Sequence, residues 1–480
     1  MAITWAPPYP PHIWAGYEGC RSPRTFEVHL RRLSGSNFCD RSVVGLFVHT
    51  FEANDPVEIL WTLHVVLSFL PSDETVRTCV LARRWRHLWK STPALRIIQG
   101  GMMYWNAKEM NNFVNYLLLF RDRLPLDECE ISYSKPCDSE EYSEIFRFAN
   151  MRIHYAVSLC QTKVLKVCIR NVQVWLMHGN STLMSQFLRR VELTGVTMWK
   201  HSLDFSSCPT LEDLNLCSSR IYGPKISSQS VRCLSITQCQ FNVDTGSRMR
   251  ISAPCLVYLQ LADVSGTAPL LERMPLLVTA FIRLGRGGFG TCTHEAYGDC
   301  DECFPYDGYY YGHDDYGASF ANYHGSNDSV LLQGLSGATS LGLTTIDPNV
   351  FTFRKDLKQC PTFSMLKTLL LNEWCVAADF GALVKFLQCT PILEKLIIQL
   401  RLEKLPRVNS MIETYESYNP AVQLVLKHLK DVEIKCHKED EVVRQIVKIL
   451  STFGVLSDQI DIQVIQQTYV SGSFDQFRAD

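Results

Sequence analysis

The sequence predicts an α/β repeat solenoid, an irregular horseshoe, preceded by a small all-α helical unit. Three observations predict it. A short apolar triplet recurs about ten times along the chain, from residue 126 to residue 434. A tryptophan-bearing stretch with helical spacing, residues 63–97, stands before the repeats. Between triplets lie helical or proline-punctuated returns, as at Phe380, Leu383 and Leu387, stopped by Cys389-Thr390-Pro391. A chain of 480 residues is too long for one simple core. Its 46% hydrophobic and 20% charged residues are those of a globular chain, not a disordered one.

The triplet is an apolar residue, two of any kind, a second apolar residue, one of any kind, and a third. It reads Leu126-Cys129-Ile131, Val164-Val167-Ile169, Leu188-Val191-Leu193, Leu211-Leu214-Leu216 and Val231-Leu234-Ile236. Leu256-Leu259-Leu261, Leu277-Ala280-Ile282 and Ala338-Leu341-Leu343 follow. The series closes with Leu366-Leu369-Leu371, Leu393-Leu396-Ile398 and Leu429-Val432-Ile434. The alternating pair marks a strand with one buried face, and the first residue comes from the turn that enters it. The starts from 164 to 277 are 20 to 25 residues apart, the period of leucine-rich repeats. One such unit cannot bury its own face, so the units are expected to stack from 99 to 400.

In the preceding helical unit, Leu63, Val66, Leu67 and Leu70 make one apolar face, which Pro71 interrupts. Ser72 is placed to cap a new turn, with Asp73 and Glu74 at its positive end. Leu81, Trp85, Leu88 and Trp89 fall at i, i+4, i+7 and i+8 and predict a second compact helix. Trp85 is expected in the core. A unit this small cannot bury every apolar residue, and Leu67, Leu70 and Val76 are the expected partner surface.

Residues 285–328 break the repeat with Gly, Tyr, Asp and Cys, and read as an extruded loop. Gly285, Gly287 and Gly290 formally match a dinucleotide fingerprint, but no helical apolar period follows them. Cys292, Cys300, Cys303 and His313 could hold zinc tetrahedrally. With no second Cys-x-x-Cys pair in a cysteine-rich chain, incidental thiols are the preferred reading, and no cofactor is expected. Arg77, Arg83, Arg84, Arg86, His87 and Lys90 read as a solvated helix face or a contact for an acidic partner rather than a nucleic-acid site. The formal net charge of −2 likewise gives no argument for nucleic acid.

At the ends of the chain the signals differ. Residues 1–58 carry Pro7, Pro8, Pro10 and Pro11 and read as unassigned and partly disordered. They show no basic n-region or continuous apolar core, so no export signal is expected. No apolar run has the length of a membrane span. Reduced cysteines and cytoplasmic or nuclear residence are the expectation. Residues 401–420 read as a connecting loop. Val442, Ile446, Ile449, Leu450 and Phe453 then predict a helix capped by Gly454, with Ile460, Ile462 and Val464 as a strand behind it.

The stretch SFLPSDETVRTCVLARRWRHLW resembles the C-terminal two-thirds of an F-box, most closely that of plant F-box/leucine-rich-repeat proteins. Leu70-Pro71, Val76, Cys79-Val80-Leu81, Arg83-Arg84-Trp85 and Leu88-Trp89 carry the match. The family's leucine-proline-acidic-acidic-leucine-leucine opening is replaced here by Glu58, Ile59, Leu60, Trp61 and Thr62. The section 401–480 is similar to the FBD-type extension of the same proteins. The resemblance implies an incomplete F-box at 59–98 that docks on a Skp-type adaptor, and through it a cullin. Leu67, Leu70, Pro71, Val76, Leu81, Trp85 and Leu88 are the implied adaptor-binding residues. It implies a non-catalytic subunit of a ubiquitin ligase whose repeats hold a protein substrate, with no nucleic acid and no membrane. The alternative is a repeat-based binding module whose altered F-box no longer docks.

Overall fold

A computed structural model of the chain describes residues 56–81, 83–99, 107–133, 139–169, 174–176, 182–199, 203–242, 249–266, 269–284, 331–346, 353, 357, 360–376, 380–400 and 426–465. The expectations for residues 1–55, for the 285–328 insertion and for the 401–420 loop lie outside them. Two compact units divide the chain, Met1–Val172 and Gln173–Asp480.

The first unit opens with helices α1 (Pro56–Ser68) and α2 (Ser72–Arg77). The compact helix expected at 81–89 is instead a chain of single 3-10 turns, Thr78–Val80, Arg83–Trp85 and Leu88–Lys90. The segment is too short to nucleate an α-helix well, and it carries no acid to pair with its arginines at i+4. Trp85 and Leu88, at the end of one turn and the start of the next, still bury together in one cluster. Ser72 does not cap α2. The helix starts on it, Pro71 is the N-cap without a side-chain bond, and the Ser72 hydroxyl oxygen accepts from the Arg96 N–H at 3.1 Å.

Strand β1 (Ala94–Ile98) follows, inside the span expected to be helical. With α3 (Ala107–Phe120), β2 (Glu128–Tyr133), α4 (Ser139–His154) and β3 (Val164–Ile169) it builds a parallel α/β layer. Leu95, Cys129 and Leu165 are lateral partners, as are Ile97, Ile131 and Val167. That register corrects the Val164-Val167-Ile169 triplet. The residue abreast of Leu126 is Thr162, and in β1 it is Thr92. Both are buried, and their hydroxyls donate to the carbonyls of Ala156 (2.5 Å) and Trp89 (3.2 Å). A threonine so bonded has the shape of valine and no unmet polar atom.

In the second unit every triplet from Leu188 onward has its three side chains buried, the first just before a strand and the other two on it. The strands are β5 (Arg190–Thr194), β7 (Asp213–Cys217), β10 (Cys233–Thr237), β13 (Tyr258–Gly266), β15 (Thr279–Leu284), β16 (Ser340–Thr345), β17 (Thr368–Asn372), β18 (Lys395–Leu400) and β19 (Asp431–Cys436). All pair in parallel, so that Val191, Leu214, Leu234, Leu259, Ala280, Leu341, Leu369, Leu396 and Val432 form one lateral column. A tenth strand, β20 (Ile460–Val464), continues it; among the described residues it pairs only with β19, and Val464 is 59% exposed.

The returns differ along the ladder. Up to residue 271 the described returns carry short strands, not helices. Strands β4 (Val174–Leu176), β6 (Val196–Met198), β8 (Arg220–Tyr222) and β11 (Gln240–Asn242) pair in parallel as a second ladder that ends on β13. A third sheet holds β9 (Lys225–Ser227), β12 (Arg250–Ser252) and β14 (Leu270–Leu271). The corners at the exits of β5, β7 and β10, and the equivalent point within β13, are taken by Gly195, Ser218, Gln238 and Asp263, lateral equivalents with φ of 71°, 48°, 53° and 54°. One left-handed residue per repeat turns the chain out of the first ladder.

Beyond residue 330 the described residues include the helices α5 (Leu332–Leu335), α6 (Gly381–Gln388) and α7 (Glu441–Thr452). Asp440 caps α7 by accepting from the Val443 N–H at 3.2 Å. Gly454, at φ 86°, ends it as expected, while Val443 is buried beside the apolar face read from sequence and Phe453 is half-buried. Buried Asn372 joins β17 to β16: its side-chain oxygen accepts from the Thr345 N–H (3.0 Å) and its amide donates to the Thr345 carbonyl (2.8 Å).

Candidate functional site

Two faces are candidates for binding a macromolecule. The first is the helical part of unit one. Leu63, Val66, Leu67 and Leu70 fall on one side of α1 and its exit, and Trp85 and Leu88 close over them as one buried cluster. Leu67 is 1% exposed. The cluster is held by polar contacts at its margins. The Thr75 hydroxyl is within donating distance of the carbonyls of Pro71 (3.0 Å), Leu67 (3.3 Å) and Leu70 (3.4 Å), which closes the bend between α1 and α2. Arg96 Nε donates to the Ser68 carbonyl at 2.8 Å, while the same guanidinium pairs with Glu128 (2.8 Å) and Glu130 (2.5 Å) of β2. The C-terminus of α1 is thereby tied to the strand layer. Buried Arg121 donates to Thr92 Oγ1 at 2.8 Å and to the carbonyls of Thr92 and Trp89.

Of the expected contact residues, Leu67, Leu70, Trp85 and Leu88 are therefore internal core, and Pro71, Val76 and Leu81 are half-buried. Among the described residues of this part, the exposed large apolar groups are Leu60, Trp61, Phe69 and Val80, with Trp61 62% exposed. Sequence reasoning missed them as contacts. The signal was the i, i+4, i+8 line Trp61, Val65, Phe69, which runs opposite the core stripe. Acidic groups at the start of α2 are perturbed as well. Burial raises the Asp73 carboxyl even though Arg77 lies 3.5 Å away. Burial, then the neighbouring Asp73, raises Glu74 to about 7.

The second face is the outward side of the main ladder in unit two. Its central row runs Glu192, Asn215, Ser235, Gln260, Phe281, Gly342, Leu370, Ile397, Glu433 and Asp461. The row is polar at both ends. In its middle, Phe281, Leu370 and Ile397 form a buried apolar cluster on the outward side. Arg283 donates to Asp263 at 2.7 Å beside it.

Among the described residues no group of three or more His, Cys, Asp or Glu could hold a metal, and no helix is long and apolar enough to cross a membrane. The zinc candidates Cys292, Cys300, Cys303 and His313 lie outside the described residues. The described cysteines are free thiols.

No protein-family model matches the chain. Among curated proteins it is similar to an Arabidopsis thaliana FBD-associated F-box protein, 26% identical over 242 residues, covering 45% of this chain and 54% of that protein. An Arabidopsis thaliana F-box/FBD/LRR-repeat protein is 26% identical over 229 residues, 41% of this chain and 47% of its own. F-box/LRR-repeat protein 25 of the same plant is 27% identical over 237 residues, 44% of this chain and 85% of its own. The chain spans about half the length of the first curated relatives it matches. With helices in unit one, a parallel strand ladder in unit two and these matches, the chain is homologous, over about half its length, to plant proteins named for an F-box, an FBD and leucine-rich repeats.

Proposed function

We propose that the chain is a non-catalytic target-recognition subunit of a cullin-based ubiquitin ligase. In this reading the helical unit docks on a Skp-type adaptor, and the parallel ladder is a leucine-rich-repeat solenoid that holds a protein target near the transfer machinery. Rate enhancement would be proximity, with chemistry done by partner subunits. One observation carries the docking half. A unit that encloses Leu67, Leu70, Trp85 and Leu88 still leaves Leu60, Trp61, Phe69 and Val80 exposed, large apolar side chains of the kind an interface core uses. In this reading the buried residues support these side chains, and half-buried Pro71, Val76 and Leu81 would join the contact. The lateral register of the ladder supports the solenoid half. Residues 59–98 would be the docking arm, 99–400 the recognition array and 401–480 its FBD-like end, acting in the cytoplasm or nucleus.

A second reading, a binding module that does not dock, is favoured by the enclosure of the expected contact residues. Co-purification of the full chain with a Skp-type adaptor separates the two. The first reading requires a complex that W61A/F69A weakens at least tenfold while far-UV circular dichroism is unchanged. If the parent chain forms no complex, the second reading stands.

A further inference from the structure

We propose that the open edge of β20 is a homodimer interface, on which a second copy of this chain pairs its own β20 antiparallel about a two-fold axis at Ile462, independently of the adaptor-docking reading. The strand ends the main ladder. Among the described residues it pairs only with β19, from Val432 with Ile460 to Cys436 with Val464. The Ile465 N–H donates to the Cys436 carbonyl at 2.9 Å, which fixes which way the backbone groups face. Peptide groups alternate along a strand, so Asp461 and Gln463 also turn theirs to β19, while Ile460, Ile462 and Val464 turn theirs to the open edge. There the Ile460 N–H is taken by the Ser457 carbonyl. The N–H groups of Ile462 and Val464, with the carbonyls of Ile460, Ile462 and Val464, are the row that a further strand would meet.

The side chains leave the same edge unfinished. In β19 the inward residues Val432, Ile434 and Cys436 are buried. Their lateral partners Ile460 and Ile462 are only half-buried, and Val464 and Ile465 are 59% and 47% exposed. A solenoid that ends in solvent closes with a polar outer face, and a guarded edge strand carries lysine, proline or a bulge. The strand Ile460-Asp461-Ile462-Gln463-Val464 has neither lysine nor proline, and its register with β19 runs without a shift.

A second copy fits because the strand complements itself in reverse. With the axis at Ile462, that residue faces its own copy, Ile460 faces Val464 of the copy, and Asp461 faces Gln463 of the copy. Apolar residues meet apolar ones, and no like charges are opposed. The paired Ile462 residues exchange N–H···O bonds, and each Val464 N–H reaches the Ile460 carbonyl opposite. Gln463 donates to Asp461 of its own chain at 2.6 Å and keeps a second amide hydrogen for the carboxylate across the axis. An axis perpendicular to the sheet keeps the inward face inward on both sides, so the aliphatic column runs on from one copy into the other. The contact is isologous and closes at two chains.

The test is analytical ultracentrifugation of the purified full chain over a concentration series, with amide hydrogen exchange of the peptide that covers β20. The expected result is a reversible dimer in which the Ile462 and Val464 amides exchange slowly, and a dilute monomer in which they exchange fast. Q463D sets a carboxylate against Asp461 on both sides of the axis and should weaken the dimer at least tenfold with circular dichroism unchanged. D461K/Q463D turns both contacts into opposite charges and should restore it. A single-chain mass at every concentration overturns the proposal, and so does a dimer that Q463D leaves intact. Slow exchange of the Ile462 and Val464 amides in the monomer overturns it as well, because the chain would then cover its own edge.

Discussion

Gly342 is the missing rung in the outward row of unit two, and giving it a methyl group isolates one contact. A Cβ built there would lie 2.7 Å from Cδ2 and 3.2 Å from Cε2 of Phe281. Carbon atoms rest at about 3.5–4.0 Å, so the ring would have to retreat by roughly 1 Å. It has little room, because Phe281 is packed with Leu370 and Ile397 in the outward cluster. Overpacking of this kind costs about 1–3 kcal/mol, so G342A should unfold at lower urea without a change in slope. F281V removes the two ring atoms that the new methyl meets. It should lose packing by itself, yet cost less in the G342A background than in the parent, with a coupling of about 1–2 kcal/mol in the double-mutant cycle. Urea titrations followed by circular dichroism of the four proteins give the cycle. A neutral G342A, or costs that simply add, would refute the geometry of the outward row.

Other outcomes follow from the same packing and charge. The Glu74 carboxyl is raised from an ordinary value near 4.5 to about 7, so the folded unit binds this proton more tightly than the unfolded chain does. The penalty is absent below about 4.5 and complete above about 7; E74Q should flatten that pH dependence and stabilise the unit at pH 8. Unscreened linkage would be about 3 kcal/mol, and solvent around a half-exposed carboxyl reduces it to about 1 kcal/mol. L67A, in the buried cluster, should cost about 2–5 kcal/mol in thermal or urea unfolding of the helical unit. Gln238 holds a left-handed corner at φ 53°, so Q238G should raise stability by about 0.5–1 kcal/mol, less what is lost with the Ser218–Gln238 hydrogen bond.

The repeats were legible because a parallel ladder needs an apolar side chain at the same three places in each repeat, and aliphatic residues there have no other reading. The exceptions are instructive. Thr92 and Thr162 fill the first place with a hydroxyl satisfied by a nearby carbonyl, so an apolar template skips β1 and mis-frames β3. The corners are invisible for the same kind of reason. Only Gly195 advertises a left-handed turn; Ser218, Gln238 and Asp263 adopt it because the ladder on either side imposes it. At the candidate docking face, spacing identified which residues are apolar but not which way the unit turns them. Folding α1 against Trp85 and Leu88 decided that Leu67 and Leu70 go inside and Trp61 and Phe69 stay out.

Lateral register also gives unit two a reading frame. Leu214 and Leu234 are partners twenty residues apart. Excising residues 213–232 would join Glu212 to Cys233 and leave Leu211, Leu234 and Ile236 in the spacing of an intact triplet. Strand β5 would meet β10 with every inward side chain still inward. A cut one residue longer or shorter would invert the parity of the strand and send the aliphatic column into water. Insertions and deletions in this chain should therefore be sorted less by their length than by whether they keep phase: a whole repeat can be lost more quietly than a single residue.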